Sequence, residues 1–482
     1  LKSPVRTAPS IELCTRSAVD LARMLARGDV GCVEVMDAHL AQIEALNPHL
    51  NAIVTLDGDR ARDTARAFDD RRPKEPPPLW GLPTAHKDLV LTRGVRTTFG
   101  SPLYANHVPN EDDLIVERVR AAGAISVGKT NTPEFGAGSQ TFNRVFGATK
   151  NPYDPTTTCG GSSGGAAVTL AARMLPLADG SDLGGSLRNP AAFCNVLGLR
   201  PTPGRVPAYP TLNPWSDMSV QGPMARSVDD IALFLSVLVG DDKRVPFAFT
   251  DPPSTFYPVT PLDLRGVRVA LTNDFGLPVQ TEIRARIDAT GALLESLGAT
   301  VERACPDLSG ATEIFHVMRA NGFRARFGPL PAEQRAELKD TIRWNLAAGE
   351  ALTVDDLNRA YTTRRAVFER TAAFFDRYDF LVGPTTQVLP FDVEQPYPTE
   401  IDGVAMRDYL EWMQSCARIT VTSCPALSLP AGFSRGGLPI GMQIIGPVRS
   451  EARLLRFAKS VEAATRHAER APDMVGRYTA AP

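Results

Sequence analysis

The chain has 482 residues, 54 of them acidic and 52 basic, for a formal charge of −2. Hydrophobic residues make up 43% and charged ones 22%, an ordinary globular balance that excludes a disordered chain. There is no basic excess to hold a nucleic acid, and no apolar run approaches the roughly 18–20 residues of a membrane span. The seven cysteines are scattered, odd in number and free of any C-x-x-C pair. That pattern argues against a disulfide framework or a zinc site and predicts a reducing, cytoplasmic setting, each cysteine acting as a small buried hydrophobe. The start, LKSPVRTAPS, lacks the apolar stretch of a signal peptide and an initiator Met, so a trimmed or processed N-terminus is expected.

In chain order, apolar positions at helical spacing predict helices over Thr15 to Arg27 and Cys32 to Leu46, within an N-terminal helical part over 1–70. Asn47-Pro48 is expected to end the second helix, because a residue before Pro avoids the α region. A strand over Asn51 to Leu56 and a helix over Asp57 to Asp69 follow, then RRPKEPPP, a surface loop. From 81 to 240 short apolar strands alternate with glycine-rich turns and helices, as expected of a catalytic α/β core with a mixed or parallel sheet. Residues 311–378 read as a helical insertion covering that core. Phe380 to Val382 is a strand, and 419–470 returns to the sheet through ALSLPAGF and PIGMQIIG before a closing helix over Ser450 to Arg470. No internal repeat appears, so a single α/β domain over 1–482 is expected, with helices on both faces of one large mixed sheet.

Three motifs fail on context. GAISVGKT (Gly123 to Thr130) matches a phosphate-binding loop, but the helix precedes it and the loop itself reads as a strand. Ser126 and Lys129 form S-x-x-K, yet no K-T-G follows. GSSGG (Gly161 to Gly165) fits G-x-S-x-G, but the later histidines, His316 and His467, sit on ordinary helical patterns.

What survives is a pair of glycine-serine clusters, CGGSSGG (Cys159 to Gly165) and DGSDLGGSLR (Asp179 to Arg188), joined by the apolar helix-like segment Ala166 to Leu175. Consecutive amides near glycines form a nest for an oxyanion, and Ser186 stands beside such a nest. With no histidine nearby in sequence, Lys87 in GLPTAHKDL is the candidate base, since a buried lysine loses its charge near neutral pH. A surface ion pair with Asp88 is the simpler reading of spacing alone.

These stretches closely resemble the amidase signature family. The likeness is carried by GLPTAHKDL, GVRTTFGS, AGAISVGKTNTPEFG, CGGSSGGAA, GSDLGGSLRNPAAFCNVLGLRPTPGRV and, distally, LPIGMQIIGP. It implies a Ser–cis-Ser–Lys triad: Ser186 as nucleophile, Ser162 as bridging serine after a cis peptide at Gly161–Ser162, and Lys87 as base. It further implies an oxyanion hole from the amides of Leu183, Gly184, Gly185 and Ser186. Ser163, Ser181, Asp182 and Arg188 take supporting positions, and Gly136 and Gly138 line an acyl pocket. His86 and Cys159 stand at variable positions and receive no role. No metal or cofactor is implied. The expected substrates are small-molecule amides, with carbamates (urethanes) and esters open to the same attack, and a homodimer is compatible with this reading.

The family also contains the glutaminase component of a tRNA-dependent amidotransferase, which reads glutamine with an acid and an arginine. Trp412, Met413 and Gln414 stand where the acid is expected, which favours a standalone amidase. The aromatic stripe of the insertion (Phe315, Met318, Phe323, Phe327, Trp344, Leu346 and Tyr361) reads first as helix core and secondly as a wall for a bulky or aromatic substrate.

Overall fold

The computed structural model describes residues 11–477. The N-terminal stretch read for targeting lies largely outside them. A short helix, Ile11–Thr15, precedes α1 (Ala18–Arg27), so the helix expected from Thr15 is broken. Ser17 makes the break: its side chain accepts the Asp20 amide and caps α1. Helix α2 (Cys32–Leu50) runs through Pro48 instead of ending before it. Proline removes one N–H, a small loss in a last turn. Asn47 then makes the actual stop, its Oδ1 accepting the amides of Ala52 and Ile53.

β1 (Ile53–Leu56) leads to α3 (Gly58–Asp70), then β2 (Pro83–Lys87), α4 (Leu114–Ala121) and β3 (Ile125–Thr130). These strands form a small separate sheet, β1-β3-β2, antiparallel at β1/β3 and parallel at β2/β3. Lys129 of the phosphate-loop lookalike lies inside β3, fully buried, its ammonium held by the Val90 carbonyl and the Thr92 hydroxyl.

After α5 (Gly164–Ala171) comes the large sheet: β4 (Leu177–Asp182), β5 (Leu197–Arg200), β6 (Val220–Ala225), β7 (Arg268–Leu271), β8 (Thr300–Arg303), β9 (Phe380–Pro384), β10 (Ala426–Phe433) and β11 (Pro439–Ile445). Its order is β8-β7-β9-β11-β10-β5-β6-β4, parallel at β8-β7-β9 and antiparallel elsewhere. The stretch 81–240 therefore feeds both of these sheets and, at Phe142–Asn143 with Gly147–Ala148, a two-stranded one of its own. Alternate residues of central strands enter opposite cores: Phe380 and Val382 one, Leu381 the other; Val269 and Leu271 one, Ala270 the other. A strand buried on both faces reads as a continuous apolar run, which is why FLV carries no alternation. One face is covered by α6 (Val228–Leu238) and α7 (Glu451–Thr465), the other by α8 (Ala311–Phe327) and α9 (Gln414–Val421). The closing helix stops short of the expected Arg470 because Arg466 turns left-handed, at φ 53°. The insertion is helical as expected, adding α10 (Asp340–Glu350) and α11 (Val354–Phe375) to α8.

Candidate active site

The two sheets meet at the end of β2 and the edge strand β4. Thr84 of β2 donates to the Leu177 carbonyl, and the Lys87 amide donates to Asp179 Oδ1 at 2.9 Å. Lys87, last in β2, thereby has its side chain directed at the loop before α5. Its Nζ lies 2.8 Å from Ser162 Oγ, 2.9 Å from Ser163 Oγ and 3.1 Å from Ser181 Oγ. The side chain is fully buried and has no carboxylate in direct contact. Burial disfavours the ammonium and lowers its pKa to about 7, against the opposing fields of Asp179 and Asp182. The surface pair with Asp88 does not form. Asp88 is itself buried and accepts the Thr98 amide at 3.0 Å.

The Gly161–Ser162 peptide is cis, as the resemblance implies. Ser163 begins α5, and Gly165 in its first turn has no room for a side chain: a Cβ there would stand 2.3 Å from the Asn131 amide nitrogen and 2.7 Å from the Ala52 carbonyl oxygen. That close approach seats α5 and the serines before it against the small sheet.

Ser186 lies on the loop after β4, 8% exposed. Its carbonyl accepts the Ser163 amide at 3.2 Å, which ties the two serine loops together through backbone. Among the described residues no hydrogen bond joins the Ser162 and Ser186 hydroxyls. The lysine leg of the expected relay is a direct contact; Ser186 is joined to the serine loop through the Ser163 amide instead of through hydroxyls.

Asp182 organises the nest. Its Oδ1 accepts the Gly185 amide at 2.8 Å and its Oδ2 the Leu187 amide at 3.2 Å. The Gly185 N–H, expected in the oxyanion hole, is thus spent on Asp182, because that carboxylate sits inside the turn. The amides of Leu183, Gly184 and Ser186 have no protein acceptor among the described residues and remain for an oxyanion. Burial would raise the Asp182 pKa, but the Arg188 guanidinium, and then Arg200, hold it well below the usual carboxylate range. Arg188 grips both carboxylate oxygens at 3.0 Å and reaches Gln443 of β11 and Thr420 of α9. The nest is so braced to the middle of the large sheet.

Two side chains roof the nest. A Cβ on Gly184 would fall 2.6 Å from Phe315 Cζ and 2.8 Å from Met413 Cε. Of the insertion's aromatic stripe, Phe315 reaches the site. Phe327 and Leu346 pack in a small core with Phe323 alongside, and Trp344 and Tyr361 are exposed. Gly136 lies by Ser162, a Cβ there standing 3.4 Å from Ser162 Oγ, and a Cβ on Gly138 would be 3.6 Å from Lys339 Nζ.

His86 has a place that motif reading gave it no role for. Its Nδ1 pairs with Asp179 Oδ2, both side chains buried, while Asp179 Oδ1 holds the Lys87 amide. A histidine inside a buried strand and an aspartate in the middle of LADGSD were the available signals. His316, by contrast, lines a separate open cleft of about 840 Å³ with Cys305, Asp307 and Arg418. None of Lys87, Ser162 or Ser186 borders that cavity. Among the described residues there is no cluster of three or more His, Cys, Asp or Glu able to hold a metal, and no helix long and apolar enough to cross a membrane.

A buried, readily uncharged lysine on serine hydroxyls beside a nest of free amides defines a hydrolase of carbonyl substrates. The Amidase family profile matches residues 34–455. The chain is 34% identical over 462 residues to an acylamidase of Rhodococcus erythropolis, covering 95% of this chain and 97% of that protein. It is 35% identical over 484 residues to the A subunit of the glutamyl-tRNA(Gln) amidotransferase of Methylococcus capsulatus, covering 95% and 98%. A bacterial aryl acylamidase of the amidase signature family superposes with a TM-score of 0.88 at 28% identity, covering 97% of this chain and 99% of that one. The chain belongs to the amidase signature family and is an amidase, hydrolysing the C–N bond of amides.

Proposed function

We propose that the protein is a standalone amidase in which Ser186 is the nucleophile, Ser162 the proton bridge and Lys87 the base. The observation that carries this reading is the 2.8 Å contact between Ser162 and a fully buried Lys87 whose pKa lies at about 7. Neutral Lys87 takes the Ser162 proton while Ser162 takes that of Ser186, and Ser186 Oγ attacks the carbonyl carbon. The approach of Ser186 to Ser162 tightens when substrate is bound, as such contacts commonly do. The oxyanion is received by the amides of Leu183, Gly184 and Ser186. The proton on Lys87 returns through Ser162 to the leaving nitrogen, the C–N bond breaks, and water repeats the cycle on the acyl-enzyme. Ser163 and Ser181 fix the Lys87 tip, and Asp182 with Arg188 holds the nest.

A bulky or aromatic acyl or amine part accords with Phe315 and Met413 above Gly184 and with Trp412 beside Gly138. Amides come first, carbamates second and esters third. The free cysteines, buried except for Cys305, accord with a reducing, cytoplasmic setting.

The test is a panel of anilides, aliphatic amides, carbamates and p-nitrophenyl esters, with Ser186→Ala as control. Loss of at least about 10³-fold in turnover is expected of that variant. Turnover retained in Ser186→Ala would place the nucleophile elsewhere. A second reading, the glutaminase component of an amidotransferase, has the similarity to those A subunits in its favour. The buried Trp412 and Met413 speak against it, since they wall the site with apolar surface. Glutamine hydrolysis, alone or with a partner protein, would establish it.

A further inference from the structure

We propose that the far end of the acyl pocket is a carboxylate-binding subsite, in which the Lys339 ammonium takes the anionic terminus of the substrate's acyl arm. The inference rests on the assignment of Ser186 as nucleophile. The loop Gly136-Ala137-Gly138 connects the two places: a Cβ on Gly136 would touch Ser162 Oγ, one on Gly138 would touch Lys339 Nζ, and the Ala137 carbonyl accepts from Lys339 at 3.2 Å. The loop thus runs from the side of Ser162 to Lys339, the course assigned to the acyl arm.

Lys339 has capacity to spare. An ammonium has three donors, and one is used. Its nearest acid, Glu134, is occupied: one oxygen accepts the Ser101 hydroxyl at 2.6 Å and the other the backbone amide of Lys339 at 3.0 Å. The Nζ instead lies 4.3 Å from the centroid of the Phe142 ring. Beside it is a small, partly enclosed cavity of about 20 Å³, room for about one water-sized polar group, bordered by Gly138, Gln140, Phe142, Thr341, Tyr409 and Trp412.

The cavity wall offers one donor to match, the Thr341 hydroxyl, buried without a partner among the described residues; Gln140 Oε1, also unpartnered there, is an acceptor. The Tyr409 hydroxyl accepts from Arg319 and Asn345, which leaves its own hydrogen to give. Arg319 is a second cation with no carboxylate among its contacts; it donates to Asn345 and Tyr409 and stands over the Phe323 and Tyr409 rings. An ammonium with no salt bridge among the described residues, the Thr341 hydroxyl and a tyrosine hydrogen suit a carboxylate, whose stem would lie on Phe142 and Trp412. Burial lowers the Lys339 pKa to about 8, with Glu134 and Asp340 opposing and Arg319 adding to the fall, so the ammonium persists at neutral pH.

The experiment compares p-nitroanilides of succinic, glutaric and adipic acid with two matched sets: the same chains ending in a carboxamide, and apolar acyl chains of equal length. Wild type, Lys339→Met and Lys339→Arg are assayed for kcat and KM separately. At the best length wild type should prefer the carboxylate over the apolar chain by at least about tenfold in kcat/KM, chiefly through KM. That ratio should collapse in Lys339→Met, persist in part in Lys339→Arg, and fade in wild type above about pH 8. No carboxylate preference at any length, a preference that survives Lys339→Met, or a carboxamide preferred to the carboxylate would overturn the proposal. Failure of all anilides to show Ser186-dependent turnover would instead remove the assignment beneath it.

Discussion

At the scale of single residues, the proposed chemistry turns on how much charge Lys87 carries. A base must be neutral to accept a proton, and burial brings the Lys87 pKa down to about 7. The rate should therefore fall as pH drops through about 7, giving kcat/KM an acid limb there, measurable on any good anilide. Asp179 raises that pKa by its field while holding the Lys87 amide and His86. Asp179→Asn removes the charge and keeps an acceptor for the amide. Its acid limb should move to lower pH, and an unmoved limb would mean that a different group titrates. His86 pairs with Asp179 and has no hydrogen bond to a serine among the described residues.

Among the elements, the first turn of α5 is the most demanding. Ser163 and Gly165 together set where Ser162 points, and the backbone of Asn131 and Ala52 closes on Gly165. Gly165→Ala drives a methyl into backbone atoms that no rotamer change can clear. We expect a loss of about 1–3 kcal/mol in urea unfolding, together with a fall in turnover at saturating substrate, because α5 must back away from β3. A neutral result would show that the junction is more compliant than its spacing. The same element shows what motif reading captures. GGSSGG and GGSLR are contiguous, so Ser162 and Ser186 could be named with no knowledge of the fold. The pair His86–Asp179 spans 93 positions and two sheets, and each member alone looks like filler. Lys339 joins the Gly136–Gly138 loop across 202 positions, with nothing local to mark it. Helix ends failed for a related reason: whether Pro48 stops a helix depended on Asn47 reaching Ile53, a contact that dipeptide preferences do not contain.

For the whole molecule, burial acts on sulfur as strongly as on nitrogen. Cys14, Cys159, Cys416 and Cys424 are pushed up to about 12 by desolvation, as is Cys32, with Asp69 adding to it. An unfolded thiol ionises near 8.5. The folded state then holds protons that the unfolded state has released, so stability is intact below about pH 8.5 and declines as pH rises toward 12. The lowered lysines work in the opposite sense, since unfolded Lys87, Lys129 and Lys339 stay protonated after the folded forms are neutral at about 7 to 8. With more thiols than lysines involved, the urea midpoint should drop between about pH 9 and 10 and drop less in a variant with Cys14, Cys416 and Cys424 replaced by Ala. The large-scale plan was readable in outline, because texture distinguishes helix from sheet. That 81–240 supplies strands to both the small and the large sheet was not, since those strands are largely buried on both sides and carry no mark of their partners.

That split has an operational meaning. The proposed base stands on the three-stranded sheet and the proposed nucleophile on a loop of the eight-stranded one, so on this reading catalysis reports on their mutual docking. A denaturant concentration that merely loosens the seam should silence the enzyme while the larger sheet keeps its circular dichroism, making turnover the earliest alarm of unfolding.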